Sequence, residues 1–236
     1  VRLMGYESEA VAKGGYPIGY ISVAASRRIL IDYDGDASIT RGDILNIFFQ
    51  IKDLPVAKKV TYGDRVTYSV EDEYTLIYAY HNIKKSRGVL TATQFTGLSS
   101  EGLKTKAGFL EIDGEQYVNS NQEYDYLIGY TVDFYFREIN GEIPEIVLLL
   151  SSEKRNTEES FACEEIGEVS QGSVSWIDKY GKEHTFRLAQ DYDLIFNGRA
   201  LTGYGTLKKQ TEQADRIRML DRENDGTYDT IFLEAY

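Results

Sequence analysis

The sequence predicts an α+β protein that is mainly β: an N-terminal helix–loop–helix unit, then small antiparallel β modules of sandwich or barrel-like form. Three observations predict this class. Apolar residues recur at helical spacing over about the first 54 positions, and from Val56 onward they alternate as in strands. Asn-Gly and Asp-Gly pairs, which favour tight hairpin turns, separate several of the alternating runs.

The helical unit is predicted over residues 1–54. Its first helix places four apolar side chains on one face, namely Ile18, Ile21, Ala25 and Ile29. The second helix repeats this spacing with Ile44, Ile47, Phe48 and Ile51. Ser38 or Thr40 can cap the second helix, with Asp43 in its first turn and Pro55 beyond its end. Two short helices bury too little surface to stand alone, so this unit needs a neighbour.

The rest of the chain is predicted to form two β modules, residues 55–150 and 151–236. The predicted hairpin turns are Gly63-Asp64, Asp113-Gly114, Asn140-Gly141, Lys179–Lys182 and Asn197-Gly198. One exception is a short helix within residues 74–88, ending near Gly88. The polar stretch from Ser151 to Ser160 is interpreted as a linker or long loop between the modules.

Composition narrows the class of protein. The chain has 236 residues, of which 42% are hydrophobic and 27% charged, as in an ordinary folded protein. Its net charge of −12 argues against nucleic acid as a partner, because phosphates require a basic face. No run reaches the ~18 apolar residues of a transmembrane span.

Cys163 is the single cysteine, so no intrachain disulfide is possible, and a small buried hydrophobe is the ordinary role for it. Both ends of the sequence fall inside patterned segments, which favours a piece of a longer chain.

The N-terminal unit resembles the S-layer homology (SLH) module of bacterial surface proteins. The residues that carry the resemblance are "GGYPIGYISVAASRRIL" (14–30) and "SITRGDILNIF" (38–48). Ile39-Thr-Arg-Gly-Asp43 matches the family's Ile-Thr-Arg-Ala-Glu signature except at its last two positions. Downstream phrases such as "GVLTAT", "EIDGEQY" and "LIGYTVDFYF" are similar to the β-rich regions that follow SLH modules in clostridial surface proteins.

This resemblance implies a place on the outside of a cell with a Gram-positive-type wall. In the family, the arginine of the signature helps to bind an anionic, pyruvylated wall glycan. That role would fall on Arg41, with Thr40 and Asp43 shaping the start of the helix. The implied partners are cell-wall polysaccharide and further copies of the chain.

The segment "DRENDGTYD", residues 221–229, raises a separate question. Calcium loops place oxygen ligands at alternate positions with glycine at the sixth, and here these are Asp221, Glu223, Asp225, the carbonyl of Thr227, and Asp229. The glutamate that an EF-hand needs at position 12 is replaced by Phe232, and the flanks are predicted strands. A calcium loop between strands and a solvated Asp-Gly turn both fit, so calcium is a candidate cofactor. "IDYDGDAS", with Asp32, Asp34 and Asp36, fits a solvated loop better.

Residue patterns do not predict an enzyme. Acidic pairs such as Glu164/Glu165 suit glycoside hydrolysis in principle, but any acidic chain offers such pairs. His81 and His184 lie far apart, and neither a Gly-x-Ser-x-Gly motif nor a phosphate-binding glycine loop is present. The sequence therefore predicts a non-catalytic, extracellular structural protein that attaches to wall glycan or assembles into a surface layer or filament. The alternative is a carbohydrate-processing enzyme or its accessory carbohydrate-binding domain.

Overall fold

The computed structural model describes residues 1–29, 38–98, 103–120, 124–152 and 154–236. Helices make up 22% of the chain and strands 45%, which confirms an α+β protein that is mainly β. The described chain divides into two compact units, Val1–Lys84 (unit 1) and Lys85–Tyr236 (unit 2).

Unit 1 combines helices with a two-stranded hairpin. Its elements are α1 (Glu7–Ala12), α2 (Ile18–Ser26), α3 (Arg41–Ile51), β1 (Pro55–Tyr62), β2 (Arg65–Thr75) and α4 (Leu76–His81). The helices α2 and α3 lie where the sequence predicts two helices, but α2 ends at Ser26, before Ile29, and leaves Ile18 and Ile21 exposed. The strand β1 pairs antiparallel with β2 around the predicted Gly63-Asp64 turn.

The core of unit 1 joins helical and hairpin residues. Its buried members are Met4, Tyr6, Ala10, Val23, Ile51, Val56 and Leu76. Because Val56 in β1 and Leu76 in α4 close this core, the unit continues to residue 84, whereas the sequence predicted a boundary at residue 54. The hairpin beyond Ala57 and Val70 is mostly exposed on both faces.

Unit 2 begins with a small five-stranded barrel. Its strands are β3 (Ile83–Ala92, which starts at the end of unit 1), β4 (Phe109–Ile112), β5 (Glu115–Val118), β6 (Thr131–Arg137) and β7 (Glu145–Ser151). They close in the order β3-β4-β5-β7-β6 around buried side chains that include Leu90, Leu110 and Phe134.

A seven-stranded sheet and one helix complete unit 2. The elements are β8 (Thr157–Ala162), β9 (Ile166–Ser170), β10 (Ser173–Ile177), β11 (Glu183–Phe196), β12 (Arg199–Leu201), α5 (Tyr204–Thr211), β13 (Arg216–Asp221) and β14 (Thr227–Glu234). The strand order is β8-β13-β14-β11-β10-β9, with β12 added to β11. The long strand β11 runs parallel to β14 and antiparallel to its other partners.

The barrel and the sheet share a hydrophobic core. Ile195 in β11, Leu220 in β13 and Phe232 in β14 belong to the buried cluster that fills the barrel. The modules predicted as 55–150 and 151–236 therefore do not form separate compact bodies within the described chain. Only the tertiary packing reveals this, because each half has a complete pattern of alternating strands.

Two local predictions differ from the structure. The helix predicted to end near Gly88 is α4, which stops at His81 because Asn82 adopts a left-handed conformation (φ 53°). Residues 83–92 then form β3. The predicted linker from Ser151 to Ser160 contains the start of β8, which pairs with β13 inside the sheet.

The hairpin turns agree with the sequence. Asp113 and Gly114 have φ of 50° and 83°, and Asn197 and Gly198 have 46° and 77°. Two consecutive positive φ angles define the type I′ turn, whose twist matches the flanking strands. These dipeptides therefore fix the register of β4–β5 and β11–β12.

Candidate functional site

The start of α3 holds the three residues that the sequence predicts for glycan binding. The backbone N–H of Asp43 donates to Thr40 Oγ1 (3.2 Å), while Asp43 Oδ2 accepts from the backbone N–H (2.8 Å) and the hydroxyl (2.7 Å) of Thr40. This is a reciprocal capping box, with Asp43 in the place usually held by glutamate. The hydroxyl and backbone hydrogen bonds from Thr40 lower the pKa of Asp43.

Arg41 is the member of this trio that is available to a ligand. Thr40 and Asp43 are engaged with each other, whereas Arg41 is exposed and has no hydrogen bond or ion pair with any residue that the structure describes. It is the first residue of α3, where the backbone N–H groups also favour a negative charge. The structure thus brings the three predicted residues together and separates their roles into helix capping and exposed charge.

The outer face of α3 is unusually apolar. Within this fully described helix of eleven residues, Ile51 is the single buried one. Leu45 is 68% and Phe49 70% exposed, and Ile44 and Phe48 are exposed as well. Leu45, Phe48 and Phe49 border an apolar groove of about 680 Å³ in unit 1, together with Leu3 and Tyr80. Such patches on soluble proteins are typical of contact surfaces.

The acidic loop of residues 221–229 connects β13 to β14 and is organised by Asp221. This side chain is 2% exposed. Its Oδ1 accepts the backbone N–H groups of Glu223 (3.1 Å), Asn224 (2.6 Å) and Asp225 (3.2 Å), and its Oδ2 accepts that of Gly226 (2.7 Å). Backbone donors therefore compensate the buried charge of Asp221.

The other predicted calcium ligands do not converge on Asp221. Asp225 Oδ1 accepts from the backbone N–H of Thr227 at 2.8 Å, and Asp229 Oδ2 accepts from that of Arg222 at 3.0 Å. Glu223 is exposed. Among the described residues, no three His, Cys, Asp or Glu side chains form a group that could hold a metal ion. This geometry fits the Asp-Gly turn, and calcium binding stays a prediction. Asp32, Asp34 and Asp36 lie outside the described residues.

Arg222 forms ion pairs that connect the same loop to the sheet. The sequence pattern did not indicate this role for Arg222. Its guanidinium contacts Asp193 at 3.1 Å and Asp229 at 3.8 Å. Burial raises the pKa of both carboxyl groups, and Arg222 opposes that rise. Asp193 is 29 residues away in sequence, in β11, so only the parallel pairing of β11 with β14 could place it here.

The remaining titratable candidates are partly buried, paired with a neighbouring side chain, or exposed. Burial raises the pKa of the Cys163 thiol to about 11, the direction opposite to that of an activated nucleophile. His184 Nε2 lies 3.0 Å from Asp178 Oδ2, and its hydrogen bond lowers the pKa of Asp178. Glu164 and Glu165 are exposed. None of the described helices is long and apolar enough to span a membrane.

No protein-family model matches this chain, and comparisons with curated proteins and with solved structures return no significant match.

Proposed function

We propose that the chain is a non-catalytic structural protein of a bacterial cell surface, and that α3 makes its external contacts. One observation carries the proposal. An eleven-residue helix buries a single side chain in its own unit, yet presents an apolar face along its length and, at its start, an arginine that has no partner among the described residues. A helix of this kind gains stability when a ligand or another protein covers it.

Charge supports unit 1 as the attachment unit. Its sequence has ten lysines and arginines against eleven acidic residues, a net charge of −1, whereas unit 2 has 16 against 27, a net charge of −11. An anionic wall glycan is repelled by unit 2 and much less by unit 1. Arg41 offers it a bidentate donor at the start of a helix.

The same charge difference supports assembly through unit 1. Two copies that met through unit 2 would bring strongly acidic surfaces together. The groove beside α3 lets a second copy bury apolar surface without that cost, through a contact of unit 1 with unit 1. Attachment by Arg41 and assembly by the face of α3 use different side chains, so they can be tested separately.

Attachment is tested by retention on purified Gram-positive cell-wall polymer. We expect the wild-type chain to be retained in a salt-dependent way and Arg41→Ala to be lost. Arg65→Ala is the matched control, since it removes the same charge from an exposed site in unit 1, the first residue of β2. Equal retention of all three proteins, or of none, would refute the role of Arg41.

Assembly is tested by light scattering during size-exclusion chromatography over a range of concentrations. We expect the wild type to form dimers or larger species and the double variant Leu45→Ser/Phe49→Ser to stay monomeric. Tyr62→Ser, at the exposed end of β1, is the control for loss of an exposed apolar side chain. A wild type that is monomeric at every concentration would remove the assembly half of the proposal.

A further inference from the structure

The pairing of β11 with β14 contains a large bulge. Leu188 pairs with Tyr228 and Asp193 with Thr230, so β11 has four residues between these pairs where β14 has one. Residues 189–192 therefore leave the ladder in the middle of the sheet of unit 2. Bulges of this kind redirect side chains and are over-represented beside binding sites.

The bulge forms one wall of a cavity of about 520 Å³. The polar and aromatic side chains that line it are those of Gln171, Gln190, Asp191, Tyr192, Thr202 and Tyr204. They come from the bulge, the turn between β9 and β10, and the segment that leads into α5. The volume lies within the range of small-molecule pockets.

Hydrogen bonds hold these segments in place. The hydroxyl of Tyr204 donates to the carbonyl of Val169 at 3.0 Å, and the backbone N–H of Leu188 donates to that of Gly172 at 2.9 Å. On the remaining side, Thr96 donates to the carbonyl of Gly198 at 2.9 Å, which secures the loop that brings Leu98 to the cavity. The walls are thus formed before any ligand binds.

The chemistry of the lining selects for a ligand with hydrogen-bond donors. Asp191 is an exposed carboxylate, and Gln171 and Gln190 offer amide groups that both donate and accept. Asp193 also lines the cavity, but Arg222 binds its carboxylate at 3.1 Å. No lysine or arginine is among the described residues that line the cavity, and its carboxylates disfavour an anion.

Tyrosine adds two further features. The rings of Tyr192 and Tyr204 supply flat apolar surface next to the polar groups. The hydroxyl of Tyr192 is buried and has no hydrogen-bond partner among the residues that the structure describes. Because this hydroxyl is closed off from the cavity, it is the ring of Tyr192 that is available to a ligand.

We propose that this cavity binds a neutral saccharide of one or two rings. Ring hydroxyls of the sugar donate to Asp191 and exchange hydrogen bonds with Gln171 and Gln190, while the C–H face of the ring packs on tyrosine. This ligand class differs from the anionic glycan proposed for Arg41, because the carboxylates of the cavity exclude acidic sugars. Saccharide binding in unit 2 therefore extends the protein's proposed function and does not depend on the contacts of α3.

The test is a titration of the full chain, followed by two-dimensional amide NMR, with cellobiose, maltose and N,N′-diacetylchitobiose. We expect at least one neutral disaccharide to give saturable shifts at residues 171, 190–193 and 202–204, and digalacturonic acid to give none. Failure of all three neutral disaccharides to saturate these resonances at concentrations up to about 10 mM, ten times a 1 mM Kd, would overturn the proposal.

Substitutions of cavity residues test whether the saccharide binds in this cavity. Asp191→Ala and Gln190→Ala are each expected to weaken it by about tenfold, the effect of losing roughly one hydrogen bond to a charged or polar group. Glu115→Ala, an exposed acidic residue of β5, is expected to bind as the wild type does, and so is Arg41→Ala. Melting curves confirm that each variant is folded. Unchanged binding in both cavity variants would place the sugar elsewhere and refute the assignment.

Discussion

At the scale of single residues, Asp221 is the side chain on which the loop between β13 and β14 depends. It is buried and accepts four backbone N–H groups. We expect Asp221→Ala to lower the free energy of unfolding by about 2–3 kcal/mol, because those donors lose a charged acceptor in a buried site. Urea denaturation followed by circular dichroism measures the change.

Glu223→Ala is the control in the same loop. Its side chain is exposed, so the expected change lies within about 0.5 kcal/mol. If the two variants were equally stable, the backbone contacts of Asp221 would have no energetic importance.

Calcium gives a second prediction for this loop. The solvated turn, in which the oxygens of Asp221 accept backbone hydrogen bonds, predicts the same unfolding midpoint in calcium and in chelator. A ligand that binds only the folded state would raise the midpoint with its concentration. A rise in calcium that Asp229→Ala abolishes would instead establish the calcium loop that the spacing of residues 221–229 allows.

Arg222 leads to a prediction about pH. In Arg222→Met, the carboxyl groups of Asp193 and Asp229 lose their cation while staying about one-fifth exposed, so the free energy of unfolding at pH 7 should fall by up to about 3 kcal/mol. Burial raises the pKa of both groups above the unfolded values, so the folded variant takes up protons first as the pH falls. The deficit should therefore shrink between pH 7 and about pH 5.

The control for this experiment is Arg187→Met, which removes an exposed arginine of β11. Its deficit should be small and should not depend on pH. A deficit for Arg222→Met that stays constant over the pH range would show that the arginine contributes through packing and not through its charge.

At the scale of elements, the crossing of α1 and α2 depends on Gly19. A methyl group there would overlap the carbonyl oxygen of Ala10, which belongs to the backbone of α1 and cannot move away separately. Helix propensity by itself would make alanine the better residue by about 1 kcal/mol. The overlap outweighs this gain, so we expect Gly19→Ala to destabilise unit 1 by about 2 kcal/mol or more in thermal or urea unfolding.

Gly42→Ala is the matched control in α3. A methyl group at Gly42 meets only Thr40 Oγ1 at 3.5 Å, an ordinary contact. The higher helix propensity of alanine then determines the effect of the substitution, and the variant should be more stable than the wild type by up to about 1 kcal/mol. If both glycine variants changed stability in the same direction, the close approach of α1 and α2 would be refuted.

At the scale of the whole molecule, the two units have separate cores. Every member of the core of unit 1 precedes residue 85, and every member of the barrel and sheet clusters follows it. We expect a fragment of residues 85–236 to unfold cooperatively in isolation. A fragment of residues 85–151 should not, because it lacks Ile195, Leu220 and Phe232 of the barrel core. Amide dispersion in NMR spectra and urea unfolding distinguish these outcomes, and a well-folded 85–151 fragment would contradict the shared core.

Local signals predicted much of the fold. The helical spacing of Ile44, Ile47 and Ile51 and the capping pair Thr40/Asp43 define α3 within a few residues, because a cap is a contact between near neighbours in sequence. Asn197-Gly198 marks its hairpin for the same reason. The sequence did not reveal that Leu45 and Phe49 face outward, since helical spacing shows which residues share a face but not whether another element covers it.

The candidate sites likewise combine features that the sequence predicted with features that it did not reveal. Spacing grouped Asp221 with four other oxygen donors, but whether a carboxylate meets a cation or backbone N–H groups depends on the conformation of the loop. The ion pair of Arg222 with Asp193 and the cavity beside residues 189–192 had no signal in the sequence, because both arise where β11 lies parallel to β14.

The sequence by itself determined the fold class of this protein, its hairpin turns and the start of α3. It also determined the acidic character that argues against nucleic acid as a partner. These properties depend on residue composition or on interactions between residues a few positions apart. Tertiary structure decided where the units divide, which apolar face of α3 is left uncovered, and how the bulge in β11 opens a cavity. Each of these depends on contacts between residues far apart in sequence, and such pairings leave no periodicity in a single chain.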